Sequence, residues 1–195
     1  MRIISGEHKG RKISGAGKTR IRPTSDRVKE SIFNVLGEGI EGKRILDLFA
    51  GTGSLGLEAL SRGADCVTFV DSSARSLDIL RKNLDSLDVS FRSASESGRD
   101  ACPQAKATLF RLDGLRAAKK LGGGYQIIFA DPPYLKGFAQ KIIDSMAQSD
   151  ILEKEGVLIL EHHKKETFVC PEGKLILLKQ KKFGDTVTSF FVKIT

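Results

Sequence analysis

The stretch YQIIFADPPYLKG, residues 125–137, joins an apolar run to an acid, two prolines and an aromatic ring. The apolar run has the pattern of a buried strand. The two prolines end that strand, because proline has no N–H group to donate to a sheet ladder. Asp131 and Tyr134 are therefore predicted to lie on a stiff corner. A rigid turn with an exposed tyrosine is the simpler interpretation, and the tetrapeptide alone is only moderately specific.

These residue types fit chemistry on the amino group of a nucleobase. The lone pair of such a nitrogen is delocalised into the ring, and acceptors placed on its N–H bonds make the nitrogen more nucleophilic. The carboxylate of Asp131 and the carbonyl of Pro132 are two such acceptors, held rigidly because proline fixes φ. The ring of Tyr134 could stack on a base turned out of its helix or loop. These three residues are the predicted catalytic group.

A glycine loop precedes this corner in the chain, in RILDLFAGTGSLGLEAL. Gly51, Gly53 and Gly56 have G-x-G-x-x-G spacing between a predicted strand and a predicted helix. Glycines there permit a tight turn and a close approach of the backbone to a ligand, with helix amides facing it. Asp71 ends the next predicted strand, where a carboxylate can accept hydrogen bonds from ribose hydroxyls. The pattern predicts a nucleoside-containing cofactor.

Acidic residues distinguish two cofactors of this kind. A nicotinamide dinucleotide fits the glycine spacing as well as S-adenosylmethionine does. Asp47, however, ends the strand before the loop, and a carboxylate there repels a pyrophosphate but suits the ammonium and sulfonium cations of S-adenosylmethionine. Asp113 ends a third strand and could accept from an adenine amino group. These acids would line the carboxyl edge of one sheet, although each of them could instead cap a helix.

The elements that position these residues alternate along the chain. From Lys43 onwards strands and helices alternate, which predicts an α/β fold with a mostly parallel sheet. Two strand-like runs joined by FGDT predict a final antiparallel pair. Residues 88–104 are predicted to be a long polar loop with room for one extra strand at VSFRS. A predicted helix within PTSDRVKESIFNVLG has an apolar face formed by Val28, Ile32, Val35 and Leu36.

The beginning of the chain is basic and rich in glycine. Residues 1–29 hold nine lysines or arginines and two acidic residues, which accounts for most of the formal net charge of +8. Short apolar and basic pieces predict a β-hairpin extension over residues 1–23, ahead of a main domain over residues 24–195. Dense basic segments commonly follow a phosphate backbone; a merely solubilising surface is the alternative. The predicted RNA-contacting residues are Lys9, Arg11, Lys12, Arg20 and Arg22.

Composition limits the class of protein. A chain of 195 residues with 40% hydrophobic and 29% charged residues is ordinary for a soluble α/β domain. No apolar run reaches the roughly 20 residues of a membrane span, and the N-terminus lacks a secretory apolar region. Three cysteines without a CxxC pair argue against a zinc site and a disulfide framework. We therefore expect a cytoplasmic monomer with reduced thiols, no metal and no membrane partner.

Several motifs together resemble a known family. DLFAGTG and DPPY are similar to the S-adenosylmethionine-dependent methyltransferases that modify exocyclic amines. RIISGEHKGRKI, RPTSDRVKESIFNVL, DLFAGTGSLGLEALSRGA, DPPY and FGDT cover nearly the whole chain and resemble the bacterial 16S ribosomal RNA guanine-N2 methyltransferases of the RsmD family. Two departures, Glu7 with His8 and the length of the polar loop, concern RNA contacts more than chemistry.

The resemblance implies a fold and a substrate. The fold is a Rossmann-like class I methyltransferase domain with a seven-stranded sheet and an N-terminal β-hairpin that helps to bind RNA. The substrate is one guanine of 16S ribosomal RNA, presented in an assembling 30S subunit. The acids of the family motifs correspond to Asp47, Asp71 and Asp113, and the catalytic corner corresponds to Asp131, Pro132 and Tyr134. Arg22 and Thr24 match the family segment RPT.

Three other functions remain open from the residues. An ionised Asp131 only accepts hydrogen bonds, which suits the guanine edge slightly better, yet adenine-N6 methyltransferases also use DPPY. A DNA enzyme of that kind would have little room for a target-recognition domain in 195 residues. A nicotinamide-dependent oxidoreductase would use His162 or His163 as its acid–base group and would leave Asp131 unexplained. A non-catalytic RNA-binding module would leave the glycine loop without a role.

Overall fold

The computed structural model describes residues 1–15, 26–94 and 105–195. The predictions for Arg20, Arg22 and Thr24 lie outside these ranges, as do those for residues 95–104 of the polar loop. Within the ranges, helices and strands alternate and the strands form one sheet. No helix of the described ranges is long and apolar enough to cross a membrane.

The helices are α1 Asp26–Leu36, α2 Ser54–Ser61, α3 Ala74–Ser86, α4 Gly114–Lys120 and α5 Phe138–Gln148. The strands are β1 Arg44–Asp47, β2 Cys66–Asp71, β3 Phe91–Ala94, β4 Ala107–Arg111, β5 Tyr125–Ala130, β6 Leu152–His163, β7 Leu175–Phe183 and β8 Thr186–Lys193.

The sheet has the order β3-β4-β2-β1-β5-β6-β8-β7. All neighbouring strands from β3 to β6 are parallel, and β8 is antiparallel to both β6 and β7. The predicted α/β fold, with its mostly parallel sheet and antiparallel last strand, is confirmed. The described residues form eight strands, where the family resemblance implied seven. The additional strand β3 pairs with β4 at the sheet edge, where Phe91 packs against the core.

Helices cover both faces of the sheet. The front face is the one covered by α1, α2 and α3, which bury Phe33, Leu57 and Leu80 against it. The back face is covered by α4 and α5, which bury Ala117 and Ile143. Each large apolar side chain buried in this way contributes roughly 1.5–3 kcal/mol to folding. Helices on both faces leave the carboxyl edge of the parallel strands open for a ligand.

The N-terminal segment forms a short hairpin on the front face. An antiparallel bridge joins Arg2 to Lys12, and the amide of Ile3 donates to the carbonyl of Arg11 at 3.0 Å. Ile3 and Ile13 are buried in the core of the front face. Residues 1–13 therefore form a hairpin that packs on the core of the front face, and the division of the chain after residue 23 stays a prediction.

A buried ion pair holds this hairpin to the front face. Lys29 of α1 lies 3.3 Å from the Glu58 carboxylate of α2, and both side chains have no exposed surface. The same carboxylate accepts from the backbone N–H groups of Ile4 at 2.8 Å and Ser5 at 3.0 Å. The Lys29 ammonium also donates to the carbonyl of Arg2 at 2.6 Å. Lys29 was counted with the surface charge of residues 1–29, and its burial removes it from any RNA-facing surface.

We expect Glu58→Gln to lower the free energy of unfolding by about 3 kcal/mol, because it leaves the Lys29 ammonium buried without its counter-charge. Urea unfolding of the variant and of wild type measures this difference. Glu30→Gln, at an exposed position of the same α1 helix, is the matched control and should change stability by less than about 0.5 kcal/mol. A Glu58→Gln protein as stable as this control would show that the pair does not anchor the hairpin.

Of the two cysteines in the described ranges, one differs from the prediction. Cys66 at the start of β2 is disulfide-bonded, whereas Cys170 is free. The expectation of reduced thiols throughout is therefore wrong for Cys66, because spacing along a sequence does not reveal which residues are close in space.

Candidate active site

Three carboxylates meet at the carboxyl edge of the central strands. Asp47 ends β1, which lies between β2 and β5 in the sheet. Asp71 ends β2 on one side of it, and Asp131 follows β5 on the other. The negative charges of Asp131 and Asp71 both act on Asp47. The predicted cofactor acids Asp47 and Asp71 are thus brought together with the predicted catalytic acid.

Asp47 has the most unusual environment of the three. Its side chain is 3% exposed. Burial, with smaller effects of the neighbouring carboxylates, raises its pKa from 3.8 to about 7. A hydrogen bond from the backbone N–H of Gly56, at 3.2 Å, opposes the rise. A cation bound beside Asp47 would favour the ionised carboxylate, so this site prefers a positively charged ligand.

The glycine loop turns sharply beside this carboxylate. Gly51 and Gly53 have φ values of 55° and 88°, which disfavour residues with a side chain. A Cβ atom on Gly56 would lie 2.2 Å from the ring of Phe69, so Gly56 permits close packing of α2 on the sheet. A Cβ atom on Gly51 would meet no atom within 4 Å. The loop therefore has open space beside Gly51.

The backbone amides of the loop are already engaged within the protein. The N–H of Gly51 donates to the Asp71 carboxylate at 2.8 Å, and that of Gly56 donates to Asp47. The N–H of Gly53 donates to the carbonyl of Ala50 at 2.8 Å. Neighbouring acceptors hold these three amides, and the expectation that helix amides face a ligand stays a prediction. A pyrophosphate, which needs such donors, would find two carboxylates instead.

Asp71 and Asp113 occupy the ends of their strands in different ways. The two oxygens of Asp71 accept from Gly51 and, at 2.7 Å, from the amide of Ser73, which fixes the half-buried carboxylate at the strand end. Each oxygen retains capacity for a further donor, such as a ribose hydroxyl. Asp113 is exposed and caps α4 by accepting from the amide of Arg116 at 3.1 Å. The helix-cap alternative thus holds for Asp113, and its adenine contact stays a prediction.

The DPPY corner lies where β5 ends, with Pro132 buried and Asp131 half-buried. The hydroxyl of Tyr134 lies 3.3 Å from Oγ1 of Thr186, the first residue of β8. The ring of Tyr134 lies 6.3 Å from the ring of His163, centroid to centroid, at an angle of 58°. The hydroxyl therefore tethers Tyr134 to β8, two strands beyond β5 in the sheet, which favours a fixed stacking surface.

The segment after the corner leaves an open pocket beside it. Leu135 is 61% exposed and has a φ of 59°, a left-handed conformation that costs energy for a residue with a branched side chain. The pocket is lined on one side by Leu135, Gly137 and Gln140 and on the other by Glu166 and Thr167. The pocket therefore lies beside the segment that follows the DPPY corner.

Sequence reasoning missed Thr186 and the position of His163. Thr186 belongs to FGDT, so the family motif contained the signal without indicating that its hydroxyl reaches Tyr134. His163 was considered only as an acid–base group of an oxidoreductase. Its neighbour His162 is buried, and Nε2 of that ring lies 2.8 Å from the Ser189 hydroxyl. Burial lowers the pKa of His162, which is typical of a structural histidine.

The basic residues of the hairpin differ in their contacts with the rest of the protein. The side chains of Lys9 and Lys12 are exposed. Arg11 lies 3.7 Å from the Asp88 carboxylate and donates to the carbonyl of Ser86, so it also fastens the hairpin to the end of α3. Lys9 and Lys12 are therefore better tests of RNA contact than Arg11.

In the described ranges, no group of three or more His, Cys, Asp or Glu residues could hold a metal ion.

Comparisons with known proteins show the family and fold of the chain. Residues 1–192 match the family described as Conserved hypothetical protein 95. YlbH of Bacillus subtilis is 35% identical over 99% of both chains. The ribosomal RNA small subunit methyltransferase D of Haemophilus influenzae is 34% identical over 94% of this chain and 89% of its own. The solved structure of yhhF from Escherichia coli covers 100% of this chain and 98% of its own, with 29% identity and a TM-score of 0.82. The chain belongs to the Conserved hypothetical protein 95 family, which is the RsmD family that its motifs resemble.

Proposed function

We propose that this protein transfers a methyl group from S-adenosylmethionine to the exocyclic N2 amine of a guanine in 16S ribosomal RNA during assembly of the 30S subunit. The observation that carries the proposal is the meeting of Asp47, Asp71 and Asp131 at one edge of the sheet, beside an open glycine loop and a tethered tyrosine.

The residues of the site fit S-adenosylmethionine better than a dinucleotide. The buried Asp47 carboxylate would hold a cationic group, and Asp71 would accept from ribose hydroxyls. The engaged amides of Gly51, Gly53 and Gly56 leave no donors of these residues for a pyrophosphate. When bound, S-adenosylmethionine supplies a methyl group that is activated by the positive charge on sulfur. An oxidoreductase would need phosphate donors at this loop, and the amides of Gly51, Gly53 and Gly56 do not offer them.

The DPPY corner would prepare the target nitrogen. A carboxylate oxygen of Asp131 and the carbonyl of Pro132 accept from the two N–H bonds of the amine and turn its lone pair toward the methyl donor. Tyr134, tethered through Thr186, stacks on the base that has been turned out of the RNA. Positioning contributes more than proton removal, because the nitrogen loses its proton after the new bond has formed.

Two observations support a ribosomal RNA substrate. Family members from several bacteria are named ribosomal RNA small subunit methyltransferase D. The exposed Lys9 and Lys12 belong to the hairpin on the front face of the sheet. Thr186, which holds the hydroxyl of Tyr134, lies on the same face. Each phosphate that such a residue neutralises releases counterions and strengthens RNA binding. The choice of guanine N2 rests on the family resemblance and on the acceptor-only character of Asp131.

The test uses radiolabelled S-adenosylmethionine with purified 30S particles, naked 16S ribosomal RNA and duplex DNA, followed by nucleoside analysis. We expect label in N2-methylguanosine from the ribosomal substrate. Label in N6-methyladenine would retain the mechanism and overturn the choice of base. Calorimetric titration of the protein with S-adenosylmethionine is run alongside. Cofactor binding without label in any nucleic acid would contradict the proposed substrate. Absence of cofactor binding would contradict the proposal that the protein is a methyltransferase.

A further inference from the structure

Strand β7 presents a basic surface at the edge of the sheet. It is the last strand in the sheet order, so one side of its backbone has no neighbouring strand among the described residues. The segment KLILLKQKKF, residues 174–183, contains four lysines and no acid. Lys179 is exposed and Lys181 is half-buried, and Ile176 and Leu178 are 50% and 62% exposed.

The register of the last two strands places part of this charge on the front face. Lys179, Lys181 and Phe183 pair with Phe190, Thr188 and Thr186 of β8. Phe190 is buried in the core of the front face, and Phe183 packs against the same core. Side chains that are directly opposite in a sheet share one face, so Lys179 and Lys181 lie on the front face as well.

A chain of contacts joins this surface to the catalytic corner. Tyr134 reaches Thr186, which pairs with Phe183 at the β7–β8 turn. The guanidinium carbon of Arg27, on α1, lies 6.0 Å from the centre of the Phe183 ring. A basic row defined by Arg27, Lys181 and Lys179 therefore begins beside the corner and runs away from it along the front face.

The charges of this row are not neutralised within the part of the chain that the structure describes. Other basic residues form ion pairs: Lys164 lies 2.9 Å from Asp185, and Lys106 lies 3.7 Å from Asp65. Residues 1–15, 26–94 and 105–195 provide no such partner for Arg27, Lys179 or Lys181. Basic side chains without internal partners are the ones available to phosphates.

We propose that the phosphate backbone of the substrate RNA lies along the front face of β7, contacting the basic row. This inference rests on the proposed function and adds a second RNA-binding surface to the N-terminal hairpin. Two β7 edges could in principle pair between two copies of the chain. That arrangement would bring several lysines of one strand opposite those of another, which is unfavourable, whereas a polyanion satisfies the same charges.

The test measures affinity for 16S ribosomal RNA at several NaCl concentrations. We expect Lys179→Ala/Lys181→Ala to weaken binding at least about tenfold at low salt and to reduce the slope of log K against log salt by roughly 1.4–1.8, since two phosphate contacts are lost. Lys119→Ala/Lys141→Ala removes the same charge from exposed positions of the back-face helices α4 and α5 and should keep the wild-type slope. Lys179→Arg/Lys181→Arg should also keep it.

The possible outcomes separate this inference from the proposed function. Wild-type affinity and slope in Lys179→Ala/Lys181→Ala, or an equal loss in the back-face control, would overturn the β7 surface while leaving methyl transfer intact. Unchanged RNA affinity with a dimer that dissociates in the variant, measured by sedimentation, would assign the edge to a second copy. A wild-type protein that methylates no RNA would overturn the proposed function, whatever the salt slopes are.

Discussion

Replacing Asp131 by alanine is expected to lower kcat for methyl transfer by about 10²–10³ while S-adenosylmethionine still binds. The size of the loss is the one typical for removing one preorganised polar group that acts on a reacting atom. The cofactor should stay bound because Asp47, Asp71 and the glycine loop are unchanged. The Asp131 charge raises the pKa of Asp47, so its removal favours the ionised form of Asp47 that a cation prefers. Single-turnover kinetics and calorimetric titration measure the two effects separately.

Two further variants define the cause of the loss. Asp131→Asn keeps one acceptor oxygen but adds a donor, and it should fall between wild type and alanine. Asp85→Ala removes an exposed carboxylate at the end of α3 and should leave kcat unchanged. Undiminished turnover by Asp131→Ala would refute the role of the corner as an acceptor for the amine.

The agreement between sequence and structure is greatest for the acids at the strand ends. Asp47, Asp71 and Asp131 each follow an apolar run, and parallel strands necessarily bring their carboxyl ends to one edge. The pattern could not show that the amides of Gly51 and Gly56 donate to two of these acids. Hydrogen bonds between loop and strand depend on distances of a few ångströms, which spacing along the chain does not determine.

Packing in the N-terminal region also could be predicted only in part from the sequence pattern. A lysine in an amphipathic helix is normally exposed, and the pattern predicted Val35 and Leu36 in the apolar face of α1. Val35 and Leu36 pack against the core as predicted. The structure also buries Lys29, because Glu58 of another helix and the carbonyl of Arg2 satisfy its charge. The hydrogen bond between Tyr134 and Thr186 joins residues 52 positions apart, so a local sequence pattern could not predict it either. Contacts of this kind decide which charges remain available to RNA.

The raised pKa of Asp47 predicts a trade-off between stability and cofactor binding. Its pKa in the folded protein is about 7, against 3.8 ordinarily. The folded state therefore binds a proton more tightly than the unfolded state does, and Asp47 lowers the free energy of unfolding progressively as the pH rises from about 4 to about 7. Each pKa difference of one corresponds to about 1.4 kcal/mol, so the whole loss amounts to roughly 4 kcal/mol above pH 8.

Asp47→Asn should escape this loss, because an amide stays neutral and its oxygen can still accept from Gly56. We expect the variant to be more stable than wild type by up to about 4 kcal/mol at pH 8, and this advantage should shrink toward pH 5. Urea unfolding of the cofactor-free proteins at both pH values measures it, with Asp85→Asn as the exposed control. The same variant should bind S-adenosylmethionine at least about tenfold more weakly at pH 8, because it lacks the charge that attracts the cation. An advantage in stability that does not change with pH would show that Asp47 is already ionised at pH 5. Undiminished cofactor affinity would show that Asp47 does not contribute to binding S-adenosylmethionine.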